Sequence, residues 1–271
     1  MKMKVILITV LAALVLVTGA FAGGNRDSGG LTLREGVLMI GMDIDYPPME
    51  YLGPDGVTPM GFDVDMGKAI AAKLGLEPQF IDTAWDGIFA SVETRRFDVI
   101  MSSVTITDAR LAAHNFSRPY VGNAMAIVTR KDSPFKPRNP QQLNGLGVSY
   151  QAETTAKFFM ERLVEGGLNY TSFAYDTVTR CFDELRLGRV DVIVTDGVVA
   201  GDYAGPADSI FEITWVGEPD EFFGIVLRKG NDALTHAING ALEELFADGT
   251  MRRISQEHLG ADMVTPARAQ W

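Results

Sequence analysis

The feature that most constrains the fold is an alternation of short apolar runs with amphipathic segments, which occurs twice along the 271-residue chain. Apolar runs predict strands at 37–42, 79–82, 97–102, 145–150, 171–175 and 190–195. Apolar residues at helical spacing predict helices at 62–74, 85–94, 154–164, 177–187 and 233–246. Strands that alternate with helices of about a dozen residues predict parallel sheets that are covered by helices on both faces.

Two short passages resemble each other, and each lies where an amphipathic helix leads into an apolar strand. Residues 95–100 read Arg-Arg-Phe-Asp-Val-Ile, and residues 187–193 read Leu-Gly-Arg-Val-Asp-Val-Ile. We interpret this similarity as two α/β lobes of the same plan. Ligands of open α/β sheets bind at the carboxyl ends of the strands. We therefore expect a site among the polar residues that follow Ile100, Tyr150 and Val194.

The first thirty residues differ from the rest of the chain. Lys2 and Lys4 precede an uncharged apolar run at 5–17, and Ala20-Phe21-Ala22 ends the stretch. This pattern predicts a secretory signal peptide at 1–22, cleaved near Ala22, and a flexible Gly/Ser/Asn-rich leader at 23–30. An uncleaved anchor is the alternative, but a membrane span needs about 20 apolar residues. No cysteine directly follows the predicted cleavage site, so we expect a periplasmic protein without a lipid anchor.

The composition argues against several classes of function. The chain has 24 Lys+Arg against 35 Asp+Glu, a net charge of −11, whereas nucleic-acid binding relies on basic residues. His114, His236 and His258 lack the spacing of metal ligands, and Cys181 lies among apolar helix residues. No phosphate-binding loop, serine nucleophile elbow or dinucleotide-binding glycine pattern is present in the sequence. We therefore predict no nucleic-acid partner, no metal and no cofactor.

Five segments together resemble the bacterial polar amino-acid binding proteins, which are the periplasmic receptors of ABC importers (solute-binding protein family 3). The clearest is Gly-Phe-Asp-Val-Asp-Met at 61–66 followed by Ala-Ile-Ala at 69–71, and the others lie at 43–48, 101–110, 195–196 and 246–250. The resemblance covers about residues 33–260. It implies two Rossmann-like α/β lobes joined by a two-strand hinge, the type II periplasmic binding protein fold. Lobe 1 is then expected at 31–120 plus 221–271, and lobe 2 at 121–220.

A free amino acid carries a carboxylate and an ammonium group, and a dry site must supply partners to both. The guanidinium of Arg110 can offer a carboxylate two parallel hydrogen bonds, and the resemblance implies that it clamps the ligand carboxylate. From the residues alone, Arg110 could instead pair with Asp108 or Asp82 on the surface. Asp196 matches the ammonium acceptor of the family, although an aspartate before Gly197 is also ordinary turn composition.

The resemblance implies further contacts from hydroxyl-bearing residues. Ser103 and Thr105 would contact the carboxylate and the ammonium, although both could merely cap the following helix. Thr154 and Thr155, at the start of a predicted helix, belong to a loop that donates to the ligand carboxylate in the family. Glu153 stands where the family usually has glycine. Its carboxylate could point to solvent or help to select a cationic side chain, and the sequence leaves both possibilities open.

Three more positions are expected to contact the ligand side chain. Tyr46 and Trp85 match aromatic residues that sandwich this side chain in related proteins, where flat rings suit an aliphatic stem, an amide or a guanidinium. Asp43 matches an acidic residue that binds a polar head group. The alternatives are core packing for Trp85 and a solvated loop for Asp43. Together these residues favour a basic amino acid, with glutamine and cystine left open.

An enzyme on the same scaffold is the alternative from another functional class. The periplasmic cyclohexadienyl dehydratases, which act on prephenate or arogenate, resemble these receptors and use an acid three positions after the aspartate matched by Asp196. That position is Val199, which cannot donate a proton. We therefore predict a monomeric receptor rather than an enzyme. It would capture a free amino acid in the interlobe cleft and deliver it to an ABC permease.

Overall fold

The computed structural model of the protein describes residues 30–271. The predicted signal peptide at 1–22 and the leader at 23–30, apart from Gly30, lie outside the described residues. Within the part of the chain that is described, no helix has both the length and the apolar character needed to cross a bilayer.

The strands are β1 (Val37–Met42), β2 (Tyr51–Leu52), β3 (Pro59–Met60), β4 (Glu77–Asp82), β5 (Val99–Ile100), β6 (Asn115–Phe116), β7 (Val121–Asn123), β8 (Met125–Arg130), β9 (Gly147–Gln151), β10 (Thr171–Tyr175), β11 (Val192–Asp196), β12 (Phe211–Val216), β13 (Glu221–Phe223) and β14 (Val226–Leu227). The helices are α1 (Phe62–Lys73), α2 (Trp85–Glu93), α3 (Asp108–Ala113), α4 (Thr155–Glu165), α5 (Val178–Arg186), α6 (Gly197–Ala204), α7 (Asp232–Ala247), α8 (Thr250–Leu259) and α9 (Val264–Arg268), and a 3-10 turn covers Pro140–Leu143.

Two five-stranded sheets have the same internal order. The first sheet runs β4-β1-β5-β14-β6, and the second runs β10-β9-β11-β8-β12. In each sheet the first three strands are parallel, while the last two pair in antiparallel fashion. The expectation of parallel sheets is therefore wrong for one strand in each sheet, β14 and β8, each of which runs opposite to both of its neighbours. The physical reason is that β8 and β14 directly follow the chain crossings and enter their sheets from the opposite direction.

The two crossings pair with each other between the sheets. Strand β7 lies antiparallel to β13, with Asn123 opposite Glu221 and Val121 opposite Phe223. We call the structure built on the first sheet the first lobe and the structure built on the second sheet the second lobe. The predicted pair of α/β lobes joined by two strands is thus confirmed, while their predicted residue boundaries stay a prediction.

The duplicated aspartates have the same structural role in both lobes. Asp98, just before β5, accepts hydrogen bonds from the backbone N–H groups of Met39 at 2.8 Å and Leu33 at 2.6 Å. Asp191, just before β11, accepts a hydrogen bond from the backbone N–H of Gly147 at 2.7 Å. Asp98 therefore links the start of β5 to β1, and Asp191 links the start of β11 to the start of β9.

Helix α1 shows how the apolar pattern builds the core. Its residues Phe62, Met66 and Ile70 recur at helical spacing and are buried against Leu38 and Ile40 of β1. The same logic holds for the other predicted helices, whose ends lie within two residues of the predictions. The strand predicted at 97–102 is shorter, because the chain leaves the sheet after Ile100 and Ser103 adopts a left-handed φ of 50°.

Candidate functional site

One chamber between the two lobes collects the side chains that the sequence singled out. All nine predicted site residues line it, namely Asp43, Tyr46, Trp85, Ser103, Thr105, Arg110, Thr154, Thr155 and Asp196. Glu50, Ser102 and Gln151 also line it, and the sequence analysis did not select them. The chamber has a volume of about 20 Å³, which is room for about one water molecule. A larger ligand therefore needs the lobes to separate.

Direct hydrogen bonds between the lobes close this chamber. The Tyr46 hydroxyl donates to Asp196 Oδ2 at 2.5 Å, and Gln151 Nε2 donates to Asp43 Oδ2 at 3.0 Å. The indole N–H of Trp85 also reaches across, to the carbonyl oxygen of residue 153 at 3.1 Å. Both lobes thus supply polar groups to the same small space. These groups lie at the carboxyl ends of β9 and β11, where the sequence analysis expected a site, and also at the carboxyl end of β1.

Arg110 lies on helix α3 and contacts one carbonyl oxygen and two aromatic rings. Its Nη1 donates to the carbonyl oxygen of Thr105 at 2.9 Å. Its guanidinium carbon lies 5.5 Å from the ring centroid of Trp85 and 5.2 Å from that of Phe89. Within residues 30–271, no carboxylate lies within ion-pair distance of Arg110. The alternative pairing with nearby aspartates is therefore not formed.

The charge of Arg110 is partly desolvated. Burial lowers its pKa to about 10, and the negative charges of Asp196 and Glu221 act in the opposite direction. The group is cationic at neutral pH, since its pKa remains well above 7. A charge without a close counterion in a dry site is unfavourable. The arrangement can therefore bind a small carboxylate that enters the chamber.

Asp196 ends strand β11 and precedes helix α6. Besides the bond from Tyr46, its Oδ1 accepts a hydrogen bond from Asn123 Nδ2 at 2.8 Å. The residue is 6% exposed. Burial raises its pKa to about 6, while the hydrogen bonds from Tyr46 and Asn123 and the charge of Arg110 lower it. Asp196 is thus a buried carboxylate that gains from any cation placed beside it.

Ser103 and Thr105 do not cap the following helix, so that alternative is wrong. Thr107 is the N-cap residue of α3, and its hydroxyl accepts from the backbone N–H of Arg110 at 3.3 Å. The backbone N–H of Ser103 donates to Asp63 Oδ2 at 2.8 Å, which holds Ser103 in its left-handed conformation. The hydroxyl of Thr105 stays at the chamber wall, where both lobes meet.

The start of helix α4 supplies the second lobe's hydroxyl groups. Thr155 Oγ1 lies 3.5 Å from Thr105 Oγ1 across the cleft, while Thr154 Oγ1 donates to the carbonyl oxygen of Gln151 at 2.7 Å. Glu153 has a positive φ of 58°, the conformation in which glycine is most at ease. Its carboxylate is bonded to Lys157 at 2.6 Å and its side chain is 57% exposed. The structure therefore directs this carboxylate away from the chamber.

Two buried carboxyl groups beneath the chamber were missed by the sequence analysis. Glu50 Oε1 accepts from the hydroxyl of Ser102 at 2.6 Å, and Asp63 Oδ2 accepts from Tyr120 at 3.0 Å. Glu50 Oε2 and Asp63 Oδ1 have no donor among the described residues. Burial and the neighbouring Asp63 raise the pKa of Glu50 well above its usual range, and burial raises the pKa of Asp63 to about 6. Both carboxyl groups are therefore protonated more readily than exposed carboxyl groups would be.

Asp43 and Trp85 are buried at the chamber wall. Asp43 is 6% exposed, so the alternative of a solvated loop carboxylate is wrong. Burial raises its pKa to about 7, the hydrogen bond from Gln151 lowers it, and neighbouring aspartates raise it. Trp85 packs with the core residues Ile88 and Val92 and also lines the chamber, so core packing is confirmed and contact with the ligand stays a prediction.

A wider cleft of about 610 Å³ adjoins the chamber and shares Trp85, Thr105, Arg110 and Thr155 with it. In the described part of the chain, no group of three histidine, cysteine or acidic residues is arranged to hold a metal ion. Two of the three histidines have carboxylate partners: His114 lies 2.8 Å from Glu93, and His258 lies 2.9 Å from Asp65. The free thiol of Cys181 is buried in the core.

Residues 38–261 of the chain match the sequence model of a protein family, the bacterial extracellular solute-binding proteins, family 3. The L-cystine-binding protein TcyJ of Escherichia coli strain K12 is 31% identical over 253 residues, which cover 93% of this chain and 94% of that protein.

Solved structures are similar over most of the chain. An ancestral arginine-binding protein bound to arginine has a TM-score of 0.78 at 33% identity, with coverage of 83% of this chain and 99% of that one. The ancestral amino acid-binding protein AncCDT-1, a precursor of cyclohexadienyl dehydratase, has a TM-score of 0.75 at 30% identity, with coverage of 83% and 95%. The predicted fold, two Rossmann-like lobes of the type II periplasmic binding proteins, is thus confirmed. The chain belongs to the bacterial extracellular solute-binding proteins, family 3.

Proposed function

We propose that this protein binds a free amino acid in the chamber between its lobes and delivers it to an ABC permease. The observation that carries the proposal is the guanidinium of Arg110, which faces a chamber shared with Asp196 and has no carboxylate partner among the described residues. A cation from one lobe and an anion from the other match the two charges on the α-carbon of an amino acid. The amino acids named for its relatives, cystine and arginine, support the same class of ligand.

The ligand's carboxylate would bind Arg110 in a bidentate manner, assisted by the hydroxyls of Thr105 and Thr155 on opposite lobes. Its ammonium would bind Asp196, which in the closed chamber accepts the hydroxyl of Tyr46. Ser103 and Thr154 would complete the polar wall. Because the ligand then touches both lobes, it stabilises the closed arrangement over an open one.

The side chain of the ligand would lie between Tyr46 and Trp85 and point towards Asp43. The chamber holds the carboxyl groups of Asp43, Glu50 and Asp196 against the single guanidinium of Arg110. Glu50 is protonated readily and Asp196 would bind the ammonium, so Asp43 is the carboxyl group that favours a basic amino acid such as arginine or lysine. Glutamine and cystine are the alternatives, since an amide or a second amino-acid head could also donate to Asp43.

The test is a thermal-shift screen of refolded protein against the twenty amino acids, ornithine, cystine and prephenate, followed by calorimetry. Refolding removes any ligand that co-purifies. A ligand at a hundred times its Kd adds about 2.7 kcal/mol of stability. A shift with arginine, lysine or ornithine is expected. A shift with only glutamine or cystine would keep the receptor and reject the preference for a base, and no shift with any amino acid would overturn the proposal.

The proposal extends to the processing, location and lobe boundaries of the protein. The signal peptide would be cleaved near Ala22, and the mature chain would act as a monomer in the periplasm without a lipid anchor. Lobe 1 would comprise 31–120 plus 221–271, and lobe 2 would comprise 121–220. Closure by hinge bending at β7 and β13 would present a surface that the permease distinguishes from the open form.

We further propose that the protein is not a dehydratase. Val199 lies on helix α6 and is fully buried in the core. It offers no proton to a leaving hydroxyl, and general acid catalysis requires such a donor within hydrogen-bond reach of the reacting group. Incubation with prephenate is expected to give no product, and turnover would contradict this part of the proposal.

A further inference from the structure

The hinge contains a buried amide that lies between two carboxylates. Asn123 on β7 is 1% exposed, and it lies directly opposite Glu221 on β13. Its Nδ2 donates to Asp196 Oδ1 at 2.8 Å and to Glu221 Oε2 at 2.9 Å. One NH₂ group therefore joins the acidic residue of the chamber to an acidic residue of the returning hinge strand.

The orientation of this amide is determined by its partners. Carboxylates only accept hydrogen bonds when they are ionised, so both N–H groups of Asn123 must face Asp196 and Glu221. The Oδ1 atom on the other side of the amide has no donor among the described residues. Leaving a buried acceptor unsatisfied is unfavourable. The contacts that offset this penalty are the two bonds to carboxylates.

The hinge strand that carries Glu221 is also bonded to the site segment of the first lobe. The backbone N–H of Ile106 donates to the carbonyl of Phe222 at 2.8 Å, and Thr105 forms a bridge with Phe223. Asp196 on the second lobe is thus bonded to Asn123, and Thr105 on the first lobe is bridged to the strand that carries Glu221. The pair lies where the binding segments of the two lobes meet.

We propose that Asn123 is a positioning residue for the ammonium acceptor Asp196, holding its carboxylate ionised and tying it to Glu221 on the opposite hinge strand. The inference rests on the proposed function for the identity of the ligand, whereas the hydrogen bonds of Asn123 to Asp196 and Glu221 do not depend on it. Two carboxylates that share one donor repel each other when both are ionised. Asn123 reduces that repulsion by donating to both of them.

The two partners of Asn123 differ in how they influence Asp196. The groups that face Asp196 are the hydroxyl of Tyr46, the amide of Asn123 and the guanidinium of Arg110, and Glu221 lies beyond the amide. Asn123→Ala removes a donor to the ionised form, so the pKa of Asp196 rises. Burial and the charge of Asp196 raise the pKa of Glu221 to about 7, so Glu221 carries little charge near the midpoint of Asp196, and Glu221→Gln should change that midpoint only slightly.

The experiment is a carboxyl ¹³C NMR titration of Asp196 in the ligand-free protein, with its resonance assigned by its loss in Asp196→Asn. Asn123→Ala is expected to move the midpoint upward by about 1 pH unit, and Glu221→Gln is expected to move it by much less. Asn239→Ala removes an amide oxygen that accepts from the backbone N–H of Arg118 outside the chamber and serves as the control. An unchanged midpoint in Asn123→Ala would overturn the proposal. If Asn123→Ala does not fold, Asn123→Leu, which keeps the volume but cannot donate, replaces it and is judged by the same criterion.

A binding measurement separates positioning from a general structural role. Asn123→Ala is expected to weaken L-arginine binding about tenfold near pH 6. The loss should be smaller near pH 8, where Asp196 is ionised in both proteins. An equal loss at both pH values would overturn the positioning role. If the wild type binds neither L-arginine nor L-cystine, the proposed function fails. The NMR titration of Asp196 still tests the role of Asn123 in that case.

Discussion

The two lobes are alike at the amino ends of their strands and unlike at the carboxyl ends. At the amino ends, Asp98 and Asp191 occupy matching places. Asp98 accepts a hydrogen bond from a backbone N–H of β1, and Asp191 accepts one from a backbone N–H of β9. At the carboxyl ends, the first lobe presents the cation Arg110, whereas the second lobe presents the anion Asp196. Equivalent residues thus stabilise each sheet, and different residues give each lobe its own half of the binding chemistry.

Under the proposed function, neither lobe could bind an amino acid alone. The proposed carboxylate partner, Arg110, and the proposed ammonium partner, Asp196, lie on separate lobes, so a zwitterion would satisfy both only when the lobes close.

Arg110→Ala is expected to have the largest effect. It removes the proposed partner of a desolvated carboxylate, which costs about 3–5 kcal/mol, so the Kd for L-arginine should rise by at least about 100-fold. Calorimetry measures the loss. Arg118→Ala is the matched control, because Arg118 is exposed and packs on Trp271 away from the chamber. Affinity retained within about threefold in Arg110→Ala would refute the role of this residue.

The scaffold aspartates should affect stability and not affinity. Asp98→Ala leaves two backbone N–H groups without an acceptor, and Asp191→Ala leaves one. At about 1–3 kcal/mol per buried unsatisfied group, the first variant should lose about twice as much unfolding free energy as the second. Denaturant titration measures both values. Equal losses, or a weakened Kd for L-arginine in the folded variants, would contradict the similarity between the amino ends.

The pH dependence of stability tests the acidic chamber. Burial raises the pKa of Asp43 to about 7 and of Asp196 to about 6, above the ordinary value of 3.8. Between about pH 4 and pH 7 the folded chain therefore binds more protons than the unfolded chain, so these groups make the ligand-free protein less stable as pH rises. At about 1.4 kcal/mol per pKa unit, the effect should amount to several kcal/mol.

A bound cation should reverse this trend, because it favours the ionised carboxylates. Stabilisation by L-arginine should therefore grow from about pH 5 to about pH 8, as measured by the Tm with and without ligand. Asp43→Asn should flatten the dependence of the ligand-free protein. A ligand effect that shrinks with rising pH would argue against a cation beside these groups.

Glu153→Gly should have the smallest effect. Glycine relieves a left-handed backbone that costs about 1 kcal/mol, but it also makes the unfolded chain more flexible. The net change in unfolding free energy should stay below about 1 kcal/mol, with unchanged affinity. Lys157→Ala removes the same ion pair without altering the backbone and is the control. A tenfold change in the Kd for L-arginine in Glu153→Gly alone would show that this carboxylate reaches the ligand.

Local patterns predicted most of the fold, and the rest depended on distant chain segments. Strand β1 begins and ends where the apolar run does, and the helical spacing of α1 matches its buried face. The antiparallel direction of β8 and β14 was not predicted, because it arises where the chain crosses between lobes. No local pattern encodes the partner of a strand that is a hundred residues away.

The site was predicted unevenly for a similar reason. Residues at the carboxyl ends of strands, such as Asp196, followed from the rule for open sheets together with the family resemblance. Gln151 fits the same rule at the end of β9 and could have been included. Glu50 and Asn123 could not have been found from local patterns. Glu50 meets Ser102 and Asp63 only through tertiary packing, and Asn123 gains its role from the hinge pairing.

The most direct test of the account is a calorimetric comparison of L-arginine with agmatine, which lacks the α-carboxylate, on the wild type and on Arg110→Ala. If Arg110 of the first lobe binds the α-carboxylate, the wild type will prefer L-arginine by at least about 100-fold. Arg110→Ala will then bind the two compounds within about threefold of each other. An undiminished preference for L-arginine in Arg110→Ala would contradict the central claim.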